Sequence, residues 1–569
     1  MTRAGPSEPD EPKNAGRAER AVVLASRPRV RALLAGLAFG VLSALAFDVQ
    51  GMWWVAFLAP APVMALGVRP GMQAGRAGMY AALGTTPWWV LAHIWTYSVS
   101  AAGIYPLVLM LAAFTWLYVW VAGRAAKTWG VRTGLVLAPV VWMGVEFFRG
   151  SVAFHGYGFY LTGHPVIESP GAVLAAPAGW FGAYFVSFLV ALVAAGGAAV
   201  LVRGRRGAWQ LGVSLVAAAV LFAGAAVVRT PVVGAATTRI AVVQSNVAQD
   251  NKLAWTFRQR VRDFRDLWAL TVQAAGYGPD VIVWAEGMVP GRTIDPQSLA
   301  VERSSGAVWP MDPEGPDDAP GVEIGARYIA ASSIADELLA SQRVLGVPMV
   351  VGATGYDGFA AEEVDDRVRY SWDAMYNSAF LVEGGEVAGR YDKVHLAPFG
   401  EVMPYISAWP WLEKQLLAVG AHGMTFGQSA GRAPVVLEAD TKDGAVSMAT
   451  PICFEGTVPS VCRRLVFAHG RRRAGVLVNM TNDGWFGGWT LAREHHALAA
   501  RWRCVELATP MVRAANTGIS VAYDAGGRVI TEEILTAEGE RTERDRVAGV
   551  LVADVALGTG RTLYAVVGD

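Results

Sequence analysis

Ala445-Val-Ser-Met-Ala-Thr-Pro-Ile-Cys-Phe-Glu-Gly456 reads as a short apolar strand that runs directly into a cysteine, a carboxylate and a glycine. A few residues later Pro459 suits the first turn of a helix, where its missing N–H costs nothing. A thiol on such a strand-to-helix turn is open to a substrate and close to helix amides that favour its thiolate. The plain alternative is a small buried cysteine that only packs. The flanking sequence has to decide between the two.

Working outward, the chain from Thr238 alternates strands with helices. Arg239–Ser245, Asp280–Trp284, Val344–Val351, Ser378–Val382, Val387–Tyr391, Gly475–Asn479, Met511–Ala515 and Ile519–Tyr523 are apolar strand-like runs, with Gly384-Gly385 as a hairpin turn. Helical patterns fall near 255–275, 457–470 and 491–507. This alternation predicts a mixed sheet covered by helices, an α/β layered sandwich spanning about 238–563. The Pro-, Asp- and Gly-rich stretch 288–322 has no strand-like run and reads as a long loop or lid. Residues 564–569 read as a short C-terminal tail.

The first half has a different character. The chain of 569 residues is 53% hydrophobic and only 17% charged, with a mean hydropathy of +0.33, which is too apolar for a wholly soluble protein of this length. Residues 1–30 are polar and rich in Pro, Glu and Arg, and read as a disordered tail unlike a cleavable signal peptide. Apolar segments then recur at 33–47, 52–67, 78–98, 101–122, 134–148, 179–202 and 210–228, which predicts a membrane domain over 31–230 with about seven spans. Arg27, Arg29 and Arg31, then Arg69 and Arg76, then Arg124, Lys127 and Arg132, then Arg203, Arg205 and Arg206 mark alternate loops. Basic loops stay in the cytoplasm, so the N-terminus is expected inside and everything after Thr230 outside. Phe154, Tyr157, Phe159 and Tyr160 suit either the water–lipid interface or substrate contact. Glu146, near the end of the fifth span, is a charge that reaches the interface from that depth.

Composition also excludes some functions. Zero net charge argues against a nucleic-acid partner. Cys453, Cys462 and Cys504 are too few for a disulfide scaffold. No Cys/His cluster has zinc-ligand spacing, and neighbouring His495 and His496 point in different helical directions, so no metal or other cofactor is expected.

Three polar groups stand where strands stop: Glu286 after Val281–Ala285, Lys393 after the hairpin strand, and Cys453 after Met448–Ile452. Ligands sit at strand ends in open α/β sheets, so the three can converge in one crevice. Singly, each has a bland reading, as a surface cap, a solvated charge and a core thiol. Together they also carry a family resemblance. Val283-Trp-Ala-Glu286, Tyr391-Asp-Lys-Val-His-Leu-Ala-Pro-Phe-Gly-Glu401 and Ile452-Cys-Phe-Glu455 resemble the three signature blocks of the nitrilase (carbon–nitrogen hydrolase) superfamily. Asn479–Gly487 and Arg513–Ser520 match it in order. Asp392–Pro404 and the multi-span N-terminal half are similar to the apolipoprotein N-acyltransferase branch.

The resemblance implies a Glu–Lys–Cys triad on an αββα sandwich. Glu286 is expected as general base, Cys453 as the nucleophile that forms a thioester with a fatty acyl chain, and Lys393 as oxyanion stabiliser. Glu401 is expected to hold Lys393, and Glu455 matches a further family carboxylate. Trp255 matches a family tryptophan near the acyl-chain entrance, with Trp485 and Phe486 at the pocket; packing is the competing reading for all three. The implied acyl donor is a phospholipid, and the acceptor is the α-amine of the diacylglyceryl-cysteine of apolipoproteins. The implied setting is a monomer embedded in the bacterial plasma membrane with its catalytic domain on the outer face. Three departures stand out: Ala285 replaces the proline common before the base, Phe454 replaces the tyrosine common after the nucleophile, and no apolar span follows the sandwich before Asp569. Two rivals remain: a membrane-anchored hydrolase using the same triad on an amide or nitrile, and a multi-span transport or scaffold protein with an inactive outer domain.

Overall fold

The computed structural model describes residues 27–69, 73–100, 103–228, 236–248, 257–310, 328–364, 367–407, 427–537 and 545–568, with a few single positions between them. Trp255 and the expected disordered tail up to Ser26 lie outside the described residues. Among the described residues the first helix starts at Pro28, inside the stretch 1–30.

Among the described residues six α-helices form the N-terminal bundle: α1 (Pro28–Asp48), α2 (Ala61–Val68), α3 (Ala74–Ala92), α4 (Ile104–Phe147), α5 (Ala178–Arg203) and α6 (Ala208–Val228). By length and apolarity, three continuous stretches among the described residues can cross a membrane: Pro28–Asp48, Ile104–His155 and Ala178–Val228. The two longer ones fold back on themselves. In α4 the reversal is at Gly130 (φ 84°, ψ 161°), a conformation that glycine enters without steric cost, and Tyr118 then meets Trp142 edge to face at 4.8 Å. The chain turns again at Gly204, and α5 and α6 pack so closely that a Cβ on Gly196 would lie 2.8 Å from Leu211 Cα. The segment expected as the second span is the short one, a 3₁₀ turn at Trp53–Phe57 followed by α2 of only 8 residues. The outer surface of the bundle is apolar: Leu109, Val136 and Val216 are 72%, 68% and 65% exposed. A patch of that kind needs lipid around it.

The two ends of the bundle differ. At one, Arg69 donates to the carbonyl of Leu201, beside Arg203. At the other, the backbone N–H of Ala183, a few turns away along the same α5, donates to Glu506 of the α/β domain at 2.8 Å. Arg501 pairs with Glu168, and His495 Nε2 lies 3.0 Å from Asp48 Oδ1. The arginine-bearing loop therefore sits at the end remote from the α/β domain. Glu146 does not reach out to an interface as expected. It is 6% exposed, and its Oε1 accepts from Thr162 inside the protein.

The α/β domain is a two-sheet sandwich. In chain order it contains β1 (Thr237–Gln244), α7 (Phe257–Ala275), β2 (Val281–Trp284), α8 (Pro296–Ser304), β3 (Val308–Pro310), β4 (Tyr328–Ala330), α9 (Ser333–Leu345), β5 (Met349–Asp357), β6 (Ala360–Val364), β7 (Arg367–Ser371), β8 (Ala374–Glu383) and β9 (Glu386–Asp392). After these come β10 (Val436–Thr441), β11 (Gly444–Ala449), α10 (Pro459–Val466), the small hairpin β12 (Phe467–Ala468) and β13 (Arg471–Arg472), β14 (Val476–Thr481) and α11 (Thr490–Leu507). Strands β15 (Met511–Ala515), β16 (Val521–Tyr523), β17 (Val529–Thr531), β18 (Ile534–Leu535), β19 (Arg541–Thr542) and β20 (Gly549–Ala556) and the last helix α12 (Leu563–Val567) complete it. One sheet has the order β19-β18-β20-β1-β2-β5-β8-β9 and the other β10-β11-β14-β15-β16-β17. β1, β2 and β5 run parallel, as do β11, β14 and β15.

Side-chain alternation explains the layers. Ile240 and Val242 of β1 enter the core between the sheets with Met448, Val478 and Val512. Ala241 and Val243 face α7 and α9 through Phe264, Leu267 and Leu338. Helix α11 is two-faced. Cys504 and Leu507 pack on the second sheet, whereas Trp502 and Val505 pack among Leu161, Ile167 and Leu189 of the bundle side.

Two sequence expectations are corrected here. The stretch 288–322 is not structureless, since it holds α8 and β3. Asp295 caps α8 by accepting from Ser298 N, Pro296 occupies its first turn, and Leu299 is buried. Residues 564–568 are not a loose tail either: Thr562 caps α12 and Tyr564 is fully buried in the sandwich core.

Candidate active site

The turn after β11 is built to present a thiol. β11 stops at Ala449, Ile452 keeps one bridge to Met480, and Cys453 adopts φ 53°, a left-handed backbone that non-glycine residues seldom take. Such a conformation costs on the order of 1–3 kcal/mol and persists only where its surroundings enforce it. Here they do. Asn479 Nδ2 donates to the carbonyls of Pro451 (2.9 Å) and Cys453 (3.3 Å), and Ile452 N–H donates to Glu455 Oε2 (2.8 Å). Asn479 is in turn held by Arg513 at 2.6 Å, and Arg513 also donates to both oxygens of the buried Asp483. Cys453 is half-buried and unpaired with any other cysteine.

Glu286 follows the fully buried strand β2. Its Oε1 accepts from Asn377 Nδ2 (2.6 Å) and its Oε2 from Asn482 N–H (2.8 Å). Lys393 follows β9 and is 1% exposed. Its Nζ lies 2.8 Å from Glu401 Oε1 and 4.0 Å from Glu286 Oε1. Asn377 serves both residues, because its carbonyl also accepts the N–H of Lys393 at 2.9 Å. Glu401 is fixed by Ala397 N–H at 2.7 Å.

Glu455 ties the lysine turn to the cysteine turn. It accepts from Val394 N–H and His395 N–H (2.8 and 2.9 Å) and from the Tyr391 hydroxyl (2.9 Å), besides Ile452. Burial pushes its carboxyl up to about 7 against the pull of those donors. Burial alone would lower the Lys393 ammonium, but Glu401, Cys453 and Glu286 outweigh it and hold it above the ordinary lysine value. Burial and then Glu286 push the Cys453 thiol up, with Lys393 opposing. The thiol is therefore held toward its protonated form, beside a buried lysine that is ion-paired to Glu401. Such a thiol needs a base at the moment it attacks.

An aromatic wall adjoins the thiol. Phe454 stacks on His395 (5.9 Å, 17°) and on Phe159 of the loop after α4 (6.0 Å, 23°). His395 is lowered to about 4, by burial first, so its ring is neutral at physiological pH. Phe159 and Tyr160 are buried between bundle and sandwich, and Phe154 packs on Phe399 and Tyr405 at 5.9 and 5.6 Å. Phe486 packs edge to face on Trp95 at 4.7 Å, and Trp485 is half-buried in the same 3₁₀ turn. Among the described residues no group of three or more His, Cys, Asp or Glu is placed to hold a metal ion.

The structure thus brings Glu286, Lys393, Cys453, Glu401 and Glu455 together, whereas Trp255 lies outside the described residues. Sequence reasoning gave no role to Asn377, Asn479, Asp483 or Arg513. Asn479 and Arg513 were visible as polar residues inside otherwise apolar strands, which is a usable signal for a buried network. Asn377 carried no such mark.

The fold defines a class, a layered α/β sandwich mounted on an apolar helical bundle. The chain belongs to the carbon–nitrogen hydrolase family, whose model matches residues 239–564. A second model, the apolipoprotein N-acyltransferase N-terminal domain, matches residues 39–196. The chain is 29% identical over 570 residues to the apolipoprotein N-acyltransferase of Geobacter metallireducens, covering 95% of this chain and 92% of that one. It is 29% identical over 430 residues to that of Bradyrhizobium diazoefficiens, covering 74% and 68%. Among solved structures it is similar to a mutant amidase of the nitrilase superfamily from Nesterenkonia AN1, at 16% identity and a TM-score of 0.32, over 56% of this chain and 90% of that one.

Proposed function

We propose that this chain transfers a fatty acyl group from a phospholipid, through a thioester on Cys453, to the α-amine of the diacylglyceryl-cysteine of an apolipoprotein. One observation carries the reading: the thiol, the buried lysine and the carboxylates gather where the sandwich meets the bundle, with Phe454 packed on Phe159 of the bundle's loop. A lipid arriving along the bundle need not leave the membrane, which would cost about 0.8 kcal/mol per CH₂ exposed to water. Relatives that share both halves of the chain carry the apolipoprotein N-acyltransferase name.

In this reading Glu286 takes the proton from Sγ as sulfur attacks the carbonyl carbon of the acyl ester. The oxyanion forms beside Lys393 and the backbone N–H groups near Phe454. Collapse breaks the C–O bond, and the lysophospholipid oxygen leaves with the proton returned by Glu286. The acceptor amine then attacks the thioester, Glu286 takes its proton, and the thiolate leaves and is reprotonated. An ester has become an amide with no outside energy source. The arginine-bearing loops support an orientation with the N-terminus in the cytoplasm and the sandwich outside.

Intact-mass analysis after incubation with phospholipid tests the reading. The expected result is an acyl adduct, labile to hydroxylamine and missing in Cys453→Ala; no adduct from a competent lipid mixture would sink it. The same triad also suits a membrane-anchored hydrolase. Transfer of the acyl group to a diacylglyceryl-peptide, rather than to water, separates the two.

A further inference from the structure

Ionisable residues inside membrane bundles are costly and usually mark function. Glu146, at the end of α4, is one. Its Oε1 accepts twice from one residue, from Thr162 N–H at 2.8 Å and from Thr162 Oγ1 at 2.6 Å, and Trp142 Nε1 donates to the same hydroxyl at 3.0 Å. Further grips act on the same strap, residues 157–162. Arg149 donates to the carbonyl of Tyr160 at 3.0 Å. The Tyr157 hydroxyl lies 2.7 Å from His93 Nε2. The Tyr160 hydroxyl donates to the carbonyl of Ala92 at 2.9 Å and lies 2.8 Å from His495 Nδ1. What the grips hold in place is Phe159. Its ring stacks on Tyr157 (5.3 Å, 28°) and on Phe454 (6.0 Å, 23°), and it also meets the imidazole of His496 at 5.7 Å.

We infer that Glu146 is a positioning residue for acyl transfer at Cys453, acting through the strap 157–162 that sets Phe159 against Phe454; the inference rests on the acyltransferase reading above. A pure space-filling role needs no carboxylate. An oxygen that accepts both the peptide N–H and the hydroxyl of Thr162 fixes the strap along its length as well as its depth. The fixation matters because Glu146, Arg149, Tyr160 and Thr162 also line a cavity of about 40 Å³ in the bundle, which leaves room for a side chain of a released strap to shift. Movement of Phe159 changes the wall beside the thiol without touching Glu286 or Lys393.

The test uses the full chain in detergent micelles with phospholipid, and compares two reactions of Cys453. Thioester formation needs the aromatic wall as well as the deprotonated thiol, whereas alkylation by iodoacetamide needs the deprotonated thiol but no wall for an acyl chain. Glu146→Leu is expected to slow thioester formation by about tenfold or more while alkylation stays within about twofold of wild type, as for a displacement remote from the chemistry. Glu146→Gln, which keeps an acceptor oxygen, is expected to restore thioester formation. Should Glu146→Leu not fold, Phe159→Ala, with Glu146 intact, is expected to give the same split. Equal thioester rates in the leucine variant and the wild type, or a glutamine variant no better than leucine, would overturn the inference. So would a Phe159→Ala protein of wild-type speed. A wild type that forms no thioester overturns the acyltransferase reading and this inference with it, whereas a competent wild type matched by the leucine variant overturns the inference alone.

Discussion

Arg513 Nη1 lies 2.6 Å from Asn479 Oδ1, and the amide of that asparagine donates to the carbonyls of Pro451 and Cys453. A fully buried arginine is thus connected by one side chain to the backbone of the cysteine turn. Asn479→Ala removes two donors from the turn and leaves a guanidinium N–H unpaired. It is expected to cost about 1–3 kcal/mol of stability, the usual penalty for an orphaned buried partner. Denaturant unfolding reads that cost. The left-handed Cys453 backbone should also relax, which slows thioester formation measured by intact mass.

Glu401 is the closest carboxylate to Lys393, at 2.8 Å; the lysine is buried and Glu401 is partly buried. Glu401→Ala leaves Glu286, at 4.0 Å, as the remaining ion-pair partner of the ammonium among the described residues. The lysine is then expected to swing toward Glu286 and block the base. Removing one partner of a buried pair typically costs about 3–5 kcal/mol. Thioester formation should fall by about a hundredfold or more, the scale of losing one oxyanion contact. A variant with wild-type acylation would show that Glu401 does not hold the lysine in its working position.

Gly352 in β5 sits under Glu286: a Cβ there would lie 2.5 Å from Ala285 O and Gly287 N and 2.9 Å from Glu286 Cα. All three are backbone atoms and cannot rotate away. Gly352→Ala is expected to shift Glu286, the proposed base, without altering its side chain, at a cost of about 1–3 kcal/mol for overpacking. Acylation and alkylation of Cys453 by iodoacetamide should both slow, since each needs the thiol deprotonated; wild-type acylation would mean the β2 end tolerates the shift.

Asp483 bonds Arg513 and His496 in the interior, and although burial works against its charge, those partners hold its carboxyl below the ordinary value of 3.8. A carboxyl lowered on folding adds stability that is fully present above its unfolded pKa and is lost as pH falls through its folded value. The melting-temperature advantage of wild type over Asp483→Asn should therefore be full near neutral pH and shrink below about pH 4. A gap that does not change with pH would show that the charge contributes nothing.

Much of this was legible locally. The strand read at Arg239–Ser245 appears as Thr237–Gln244, and the one read at Met511–Ala515 keeps its bounds. Alternation and turn residues are short-range signals that survive folding. Glu286, Lys393 and Cys453 were legible because each ends a strand, and strand ends converge in such sheets. Helix α8 was missed for a compositional reason. Asp295-Pro296 is a sound helix start, but the Pro- and Asp-rich surroundings suggested a loop.

By itself, then, the sequence determined two halves of opposite polarity, the layered α/β pattern of the second, and the three residues at its strand ends. Only the tertiary structure decided that Asn377 serves both Glu286 and Lys393, that Arg513 acts on the cysteine turn through Asn479, and that Phe159 reaches Phe454 from the bundle. These pairs are far apart in the chain, and their meeting depends on how sheets and helices pack. Periodicity records which face of a strand or helix is apolar. It carries no record of which buried polar group on one element satisfies another across the core, because that choice is made only when desolvation leaves each such group a single partner within reach.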